Sequence, residues 1–119
     1  MATDVSWMLE LNVKPGSEKD FRILVDEMVT ATRTNESGTL NYEWSLSADG
    51  SVCHLYERYV DSAAVMTHLA TFGAKFASRF LEVLKPVRFT AYGAPSQEVK
   101  DALAAFKPFY MKPVGGFSR

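Results

Sequence analysis

The sequence is poor in the features that define several large classes of protein. It has a single cysteine, Cys53, in 119 residues, so no disulfide can form within the chain and we expect a reducing compartment, most simply the cytoplasm. Cys-x-x-Cys and His-Glu-x-x-His spacings are missing, so we expect no metal site. No stretch approaches the roughly 20 apolar residues of a membrane span, and the first residues lack the basic and apolar regions of a signal peptide.

The sequence also has no large excess of positive or negative charge. The 13 basic and 14 acidic residues give a net charge of −1, and the basic residues are scattered. We therefore expect neither nucleic acid nor a membrane as a partner. What is present is ordinary globular composition, 47% hydrophobic and 13% aromatic, which excludes a disordered chain. The length fits one domain.

The first half of the chain predicts a strand, a helix and a hairpin. Apolar and polar residues alternate over 5–13, which is typical of a half-buried strand. Apolar residues at helical spacing predict an amphipathic helix over roughly 17–34. Alternation returns over 39–47 and 51–59, and the Asp49-Gly50 pair between them predicts a two-residue type I′ turn.

This turn also predicts the register of the hairpin. Counting back from it places Trp44 opposite Leu55, Tyr42 opposite Glu57, and Leu40 opposite Tyr59. One face of the hairpin is then predicted to carry Leu40, Tyr42, Trp44, Leu46, Cys53, Leu55, Glu57 and Tyr59. The face is apolar apart from Glu57, whose carboxylate would be costly to bury without a partner.

The second half predicts helix, strand and helix. Asp61-Ser62 supplies the N-cap of a second helix. Gly73 is expected to break or kink that helix, and Pro86 to limit its continuation. Alternation over 87–93 predicts a fourth strand, and Pro95-Ser96 opens a third helix, followed by an apolar tail.

The predicted order β-α-β-β-α-β defines the fold class. It is α+β and ferredoxin-like, with one antiparallel sheet and two helices on one face. We expect residues 1–94 to form this domain and residues 95–119 to add a helix and tail that pack on the same domain or on a dimer partner. The uncovered face of the sheet is predicted to carry Met8, Glu10, Asn12, Asn41, Glu43, His54, Tyr56, Arg58, Arg88 and Tyr92. It is either solvated or packed against a second copy across a two-fold axis.

The run GTLNYEWSLSADGSVCHLYERYVDSAAVMTHLATFGAKF resembles the antibiotic biosynthesis monooxygenase family of the dimeric α/β-barrel superfamily. The matching features are Gly-Thr-Leu-x-Tyr, Leu-Tyr-Glu-x-Tyr and Asp-Ser followed six residues later by His, and the resemblance covers roughly residues 5–93. It implies a homodimer formed through the sheet face and a pocket between sheet and helices. It also implies oxidation of a small aromatic phenol or quinol with O₂ and no cofactor.

Haem-degrading members of the same superfamily are a poorer match. The first strand, MLELNV, has no counterpart of their Asn. His68 stands where their Trp would fall, and Ser78 stands near the position of their haem-ligating His. The resemblance therefore disfavours haem degradation.

Two residues are the candidates for catalysis. His68 titrates near neutral pH, and helical spacing places it beside Val65, Leu69 and Phe72. Glu57 would orient the imidazole or act as a base, and burial would raise its pKa while a nearby His68 would oppose that shift. The alternatives are a histidine bonded to a backbone carbonyl and a carboxylate with a purely structural partner.

The predicted substrate pocket consists of apolar and aromatic side chains around this pair. Its members are Tyr42, Trp44, Leu55, Tyr59, Phe72 and Phe76. Aromatic residues at strand or helix spacing are also typical of plain core, and Cys53 is expected to be a buried apolar residue rather than a nucleophile. Two further functions stay open: an isomerase of the autoinducer-processing type, and a non-catalytic dimeric ligand-binding protein.

Overall fold

The computed structural model describes residues 3–119. The strands are β1 (Val5–Val13), β2 (Thr39–Leu46), β3 (Val52–Tyr59), β4 (Leu84–Gly93) and β5 (Phe109–Tyr110). The helices are α1 (Glu18–Asn35), α2 (Ser62–Thr71), α3 (Ala77–Val83) and α4 (Gln97–Leu103). A π-helical turn, Phe72–Phe76, joins α2 to α3, and a 3-10 turn, Ala104–Phe106, follows α4.

The sheet has the strand order β2-β3-β1-β4-β5. The first four strands pair with one another in antiparallel orientation, which confirms the α+β ferredoxin-like fold. The sheet is mixed rather than purely antiparallel, because β5 pairs in parallel with β4. The backbone N–H of Met111 continues this pairing with a hydrogen bond to the carbonyl of Ala91 at 2.8 Å.

The core lies between the helices and one face of the sheet. Alternate residues of β1 point into it, from Val5 to Val13, and all five are buried. They pack with the buried stripe of α1, formed by Phe21, Leu24 and Met28. The apolar face of β1 and the apolar stripe of α1 thus face each other, as amphipathic elements require.

The predicted hairpin register is confirmed over most of its length. Trp44 pairs with Leu55, and Tyr42 pairs with Glu57. The prediction fails at Leu40, because a bulge lets Thr39 rather than Leu40 pair with Tyr59. The extra residue points away from the core and Leu40 is 46% exposed, as expected for a bulge.

The predicted type I′ turn is wrong, although its register holds. A type I′ turn needs positive φ at both central residues, whereas only Gly50 of the pair has positive φ, at 78°. The N–H of Gly50 donates to the carbonyl of Ser47, so the turn is one residue earlier. The Asp49 carboxylate stabilises it by accepting from Ser47 Oγ at 2.8 Å and Ser51 Oγ at 2.7 Å.

The second helix and fourth strand differ from expectation at their junction. Asp61 is the N-cap and accepts from the N–H of Ala64 at 2.8 Å. Gly73 does not break the helix, because the chain stays helical, but the regular α-helix is interrupted at the π-helical turn that contains it. Nor does Pro86 end the helix, which stops at Val83. Pro86 lies within β4, where a register shift in the β1 pairing accommodates it.

The outer face of the sheet carries the predicted polar residues in register. Glu10 lies opposite both His54 and Arg88, with side-chain N–O distances of 3.8 and 3.9 Å. Arg58 Nε donates to Asp4 at 3.0 Å. None of the residues on this face of β1 is buried, so the described chain leaves the face uncovered.

Candidate functional site

Three titratable side chains from distant parts of the sequence meet beneath the helices. Glu57 comes from the middle of β3, His68 from α2, and Glu36 from the residue that caps the end of α1. They are only 4%, 6% and 6% exposed, respectively. Burial of charged groups is tolerated when they pair with one another, and these three form one array in which His68 lies between the two carboxylates.

The Glu57 carboxylate is surrounded by donors. The indole Nε1 of Trp7 donates to Oε2 at 2.6 Å, and the hydroxyl of Tyr59 donates to Oε1. His68 Nε2 lies 3.3 Å from the same Oε1. The hairpin register brings this about, because Glu57 is paired with Trp7 on one side and Tyr42 on the other.

His68 is held between two carboxylates. Its Nδ1 lies 2.8 Å from Glu36 Oε1, so both ring nitrogens have an acidic partner. Burial is the largest single influence on the pKa of His68 and lowers it, but hydrogen bonds to Glu36 and Glu57 and their negative charges outweigh burial. Together these effects raise the pKa of His68 from 6.5 to about 9, so the ring is an imidazolium at neutral pH.

A small cavity lies against this array. Glu57 and His68 line it together with apolar and aromatic side chains: Trp7, Leu9, Met28, Tyr42, Leu55, Leu69, Phe72, Phe80, Phe89, Leu103 and Phe106. The volume of the cavity is about 30 Å³, which is room for about two water molecules. A charged array facing an aromatic wall can bind a planar ligand with one polar end.

The predicted pocket residues do not all reach this cavity. Tyr42, Leu55 and Phe72 line it. Tyr59 contributes its hydroxyl to Glu57 and packs against the His68 ring, with centroids 5.4 Å apart. Trp44 instead lines a separate surface groove between α1 and β2, and the half-buried Phe76 in the π-helical turn lies outside the cavity lining.

Tyr42 has a buried hydroxyl that faces no hydrogen-bond partner within residues 3–119. Burial, followed by the negative charges of Glu57 and Glu36, raises the pKa of Tyr42 well above its usual value. The hydroxyl therefore stays protonated at neutral pH. Tyr42 lines the cavity, so this hydroxyl can donate to an acceptor oxygen of a ligand there.

Sequence reasoning missed Glu36, a member of the array, and Trp7, which donates a hydrogen bond to it. Trp7 was indistinguishable from other core residues of β1, because alternation reports burial and not the direction of an indole N–H. Glu36 gave a weak signal: a carboxylate at a helix C-terminus faces the negative end of the helix dipole, so a buried acid there needs a cationic partner. The sequence did not reveal that partner, because His68 is 32 positions away.

Cys53 is buried and takes no part in the array. Burial raises the pKa of its thiol to about 11, so the thiolate nucleophile is scarce at neutral pH.

Neither a metal-binding cluster nor a membrane-spanning helix occurs in the described part of the chain. Among residues 3–119, no group of three or more His, Cys, Asp and Glu side chains is arranged to hold a metal ion. Within the same range, no helix combines the length and apolar character needed to cross a membrane.

Comparison with known proteins identifies the family that has this architecture. The sequence profile described as "Antibiotic biosynthesis monooxygenase" matches residues 5–79, which span β1 to the start of α3 and include Glu36, Glu57 and His68. The chain belongs to the antibiotic biosynthesis monooxygenase family. No curated protein matches it.

Solved structures share the fold of this family member. MupZ from Pseudomonas fluorescens is 23% identical, with a TM-score of 0.83 over 98% of this chain and 95% of its own. Rv0793 from Mycobacterium tuberculosis is 28% identical, with a TM-score of 0.67 over 80% of this chain and 98% of its own. A candidate antibiotic biosynthesis monooxygenase from Caulobacter crescentus is 20% identical, with a TM-score of 0.68 over 80% and 92%. The match to MupZ therefore extends over nearly the whole chain, including the region after β4.

Proposed function

We propose that the protein is a cofactor-independent monooxygenase that oxidises a small aromatic phenol or quinol with O₂. The observation that carries the proposal is the buried pairing of His68 with Glu57 at one end of an aromatic-lined cavity. Membership of the antibiotic biosynthesis monooxygenase family favours oxygenase chemistry. A reducing cytoplasmic setting agrees with the single cysteine and belongs to the same proposal.

In this proposal the protein manages protons and charge while the substrate supplies electrons. Glu57 accepts the phenolic proton, and the imidazolium of His68 stabilises the phenolate that forms. The electron-rich ring carbon then bonds to O₂. Cleavage of the O–O bond leaves one oxygen on the ring and releases the other as water, so one phenol and one O₂ give one quinone and one water. The phenol loses four electrons and O₂ gains four.

The cavity wall has to move before such a ligand can bind. About 30 Å³ is too little for an aromatic ring, because sites for drug-sized ligands are roughly 300–1,000 Å³. Phe72 lies at the start of the π-helical turn, and Phe106 ends the 3-10 turn after α4. Irregular turns of this kind occur often at functional sites, so we expect these two rings to swing outward around the ligand.

Oxygen uptake tests the proposal. Purified protein is mixed with a panel of phenols and quinols, and O₂ consumption is recorded for wild type, His68→Gln and Glu57→Gln. We expect uptake to fall on the order of 100-fold or more in both variants, which is the usual contribution of acid–base groups. Glu82→Gln is the control, because Glu82 is exposed on α3, away from the cavity and from the outer face of the sheet. Uptake by wild type no faster than in buffer would refute the oxygenase, and equal uptake by His68→Gln would refute the mechanism.

An isomerase is the second candidate, and the charge state of His68 favours it. A cationic N–H beside a carboxylate can deliver one proton while the carboxylate removes another, which is what proton-shifting isomerisation requires. Product formation without O₂ uptake would select this function. Absence of turnover, combined with a ligand that binds the cavity, would select the non-catalytic binding protein instead.

We also propose that the uncovered sheet face pairs with a second copy of the chain. The face is large and polar, with aromatic and long side chains. Glu10, His54 and Arg88, which lie close together within one chain, would present the polar groups that set the register against the second copy. Light scattering should give twice the 13.3 kDa chain mass. Glu10→Arg, which places like charges together, should shift the mass toward that of one chain, and a wild type of one-chain mass would refute the pairing.

A further inference from the structure

Glu36 forms the outer end of the array, on the side away from the cavity. It does not line the cavity that Glu57 and His68 share. It lines instead a surface groove together with Thr32, Arg33, Ser37, Thr39, Leu40 and Tyr42. A ligand in the cavity would therefore meet His68 and Glu57, while Glu36 could act only through the His68 ring.

The position of Glu36 is unfavourable for a carboxylate apart from its contacts with His68 and Thr39. The side chain is almost fully buried and stands at the negative end of the α1 dipole. Thr39 Oγ1 donates to its Oε1 at 3.0 Å, and its Oε2 has no hydrogen-bond partner within residues 3–119. The cationic ring is thus the group that balances its charge.

The contacts of the ring show which carboxylate orients it. Glu36 lies 2.8 Å from Nδ1, whereas Glu57 lies 3.3 Å from Nε2. Tyr59 from β3 and Tyr42 from β2 flank the ring, each with its centroid 5.4 Å away. The shorter contact fixes one edge of the ring, and the other nitrogen is left directed toward Glu57 and the cavity.

We propose that Glu36 is a positioning residue that holds His68 as a charged ring with its Nε2–H directed at Glu57 and the bound ligand. The inference rests on the proposed function, in which that N–H stabilises the developing anion. Glu36 fixes the ring through Nδ1, as outer carboxylates commonly fix functional histidines. At a pH high enough for the ring to lose its proton, its positive charge no longer stabilises the anion, and turnover declines.

The test measures the titration of His68 directly and does not depend on turnover. NMR titration of the ring signals, assigned with His68→Gln, gives the midpoint in wild type and in Glu36→Gln. We expect the Glu36→Gln midpoint to fall by one pH unit or more toward 6.5, because one of two balancing charges is lost. Glu82→Gln, an exposed acid on α3, should titrate like wild type. An unchanged midpoint in Glu36→Gln overturns the proposal.

Turnover supplies the second readout. On the substrate identified by oxygen uptake, kcat of Glu36→Gln should fall on the order of 10- to 100-fold with little change in KM. The alkaline limb of its pH profile should move to lower pH. If Glu36→Gln fails to fold, Glu36→Asp keeps the charge and lengthens the contact, so kcat should fall while the midpoint stays above 6.5. Wild-type kcat in Glu36→Asp would then overturn the proposal. If wild type turns over no substrate, the proposed function fails, and the NMR titration still decides whether Glu36 controls His68.

Discussion

The stability of the protein should decrease as pH rises from 6 to 9, because of His68. The pKa of this group is about 9 in the folded chain and 6.5 as the ordinary value. Because folding raises the pKa, the stabilisation is fully present below pH 6.5 and is lost as pH rises through 9. The difference of about 2.5 units corresponds to about 3 kcal/mol in total. Of this, roughly 2–3 kcal/mol is lost between pH 6 and pH 9.

Urea denaturation at fixed protein concentration measures this loss. Concentration has to be fixed because association would add to the apparent stability. Measurements stop at pH 9, because Cys53, with a thiol pKa raised to about 11 by burial, adds its own loss of stability above that pH. Substitution of His68 by Gln removes the titrating ring and should flatten the curve over this range.

Glu82→Gln, a substitution of an exposed α3 residue outside the site and the sheet face, provides the control and should keep the wild-type slope. The reasoning is refuted if wild-type stability is constant or increases from pH 6 to pH 9. It is equally refuted if His68→Gln declines as steeply as wild type. Should His68→Gln be too unstable to measure, the wild-type and Glu82→Gln curves still show whether stability falls between pH 6 and pH 9.

Four further substitutions test side-chain packing and backbone conformation. Leu103→Ala should destabilise the protein by about 2–5 kcal/mol, because this α4 side chain is 1% exposed and lines the cavity; urea denaturation measures the loss, and a change below 1 kcal/mol would contradict the docking of α4. Gly93→Ala should lower the free energy of unfolding by about 2 kcal/mol or more, because the φ of Gly93 is 90° and an added Cβ would lie 2.2 Å from the Asp4 carbonyl oxygen. Gly50→Ala should lower it by only about 1–2 kcal/mol, because Gly50 has positive φ but open space around it. Lys107→Gly should raise the thermal midpoint, with a gain of up to about 1 kcal/mol, because Lys107 has a left-handed φ of 52°; an unchanged or lower midpoint would count against it.

Much of the fold could be predicted because its signals are local. The alternation of β1 and the helical spacing of α1 specify which side of each element is buried, and the Asp49-Gly50 pair fixes the hairpin register. The errors came where a local signal was overridden. Leu40 slipped out of register through a bulge, and Pro86 was accommodated in a strand with an irregular neighbour rather than ending a helix.

The candidate site was predictable in part for the same reason. Strand register placed Glu57 on the apolar face, and helical spacing placed His68 at the edge of that face, so their proximity followed from two regular elements. The separation of Trp44 from the cavity could not be predicted, since it depends on how α1 lies across β2. The cavity also includes Leu103 and Phe106 from beyond the common core.

The sequence by itself determined the order of elements, the buried face of each, and the presence of one carboxylate and one histidine on that face. These are properties of periodicity and turn chemistry, which act over a few residues. Only the tertiary structure decided that His68 is a cation. That outcome requires Glu36, at the end of α1, to lie 2.8 Å from the ring. Charges act through space, and chain folding alone brings residues 32 and more positions apart within reach of one another.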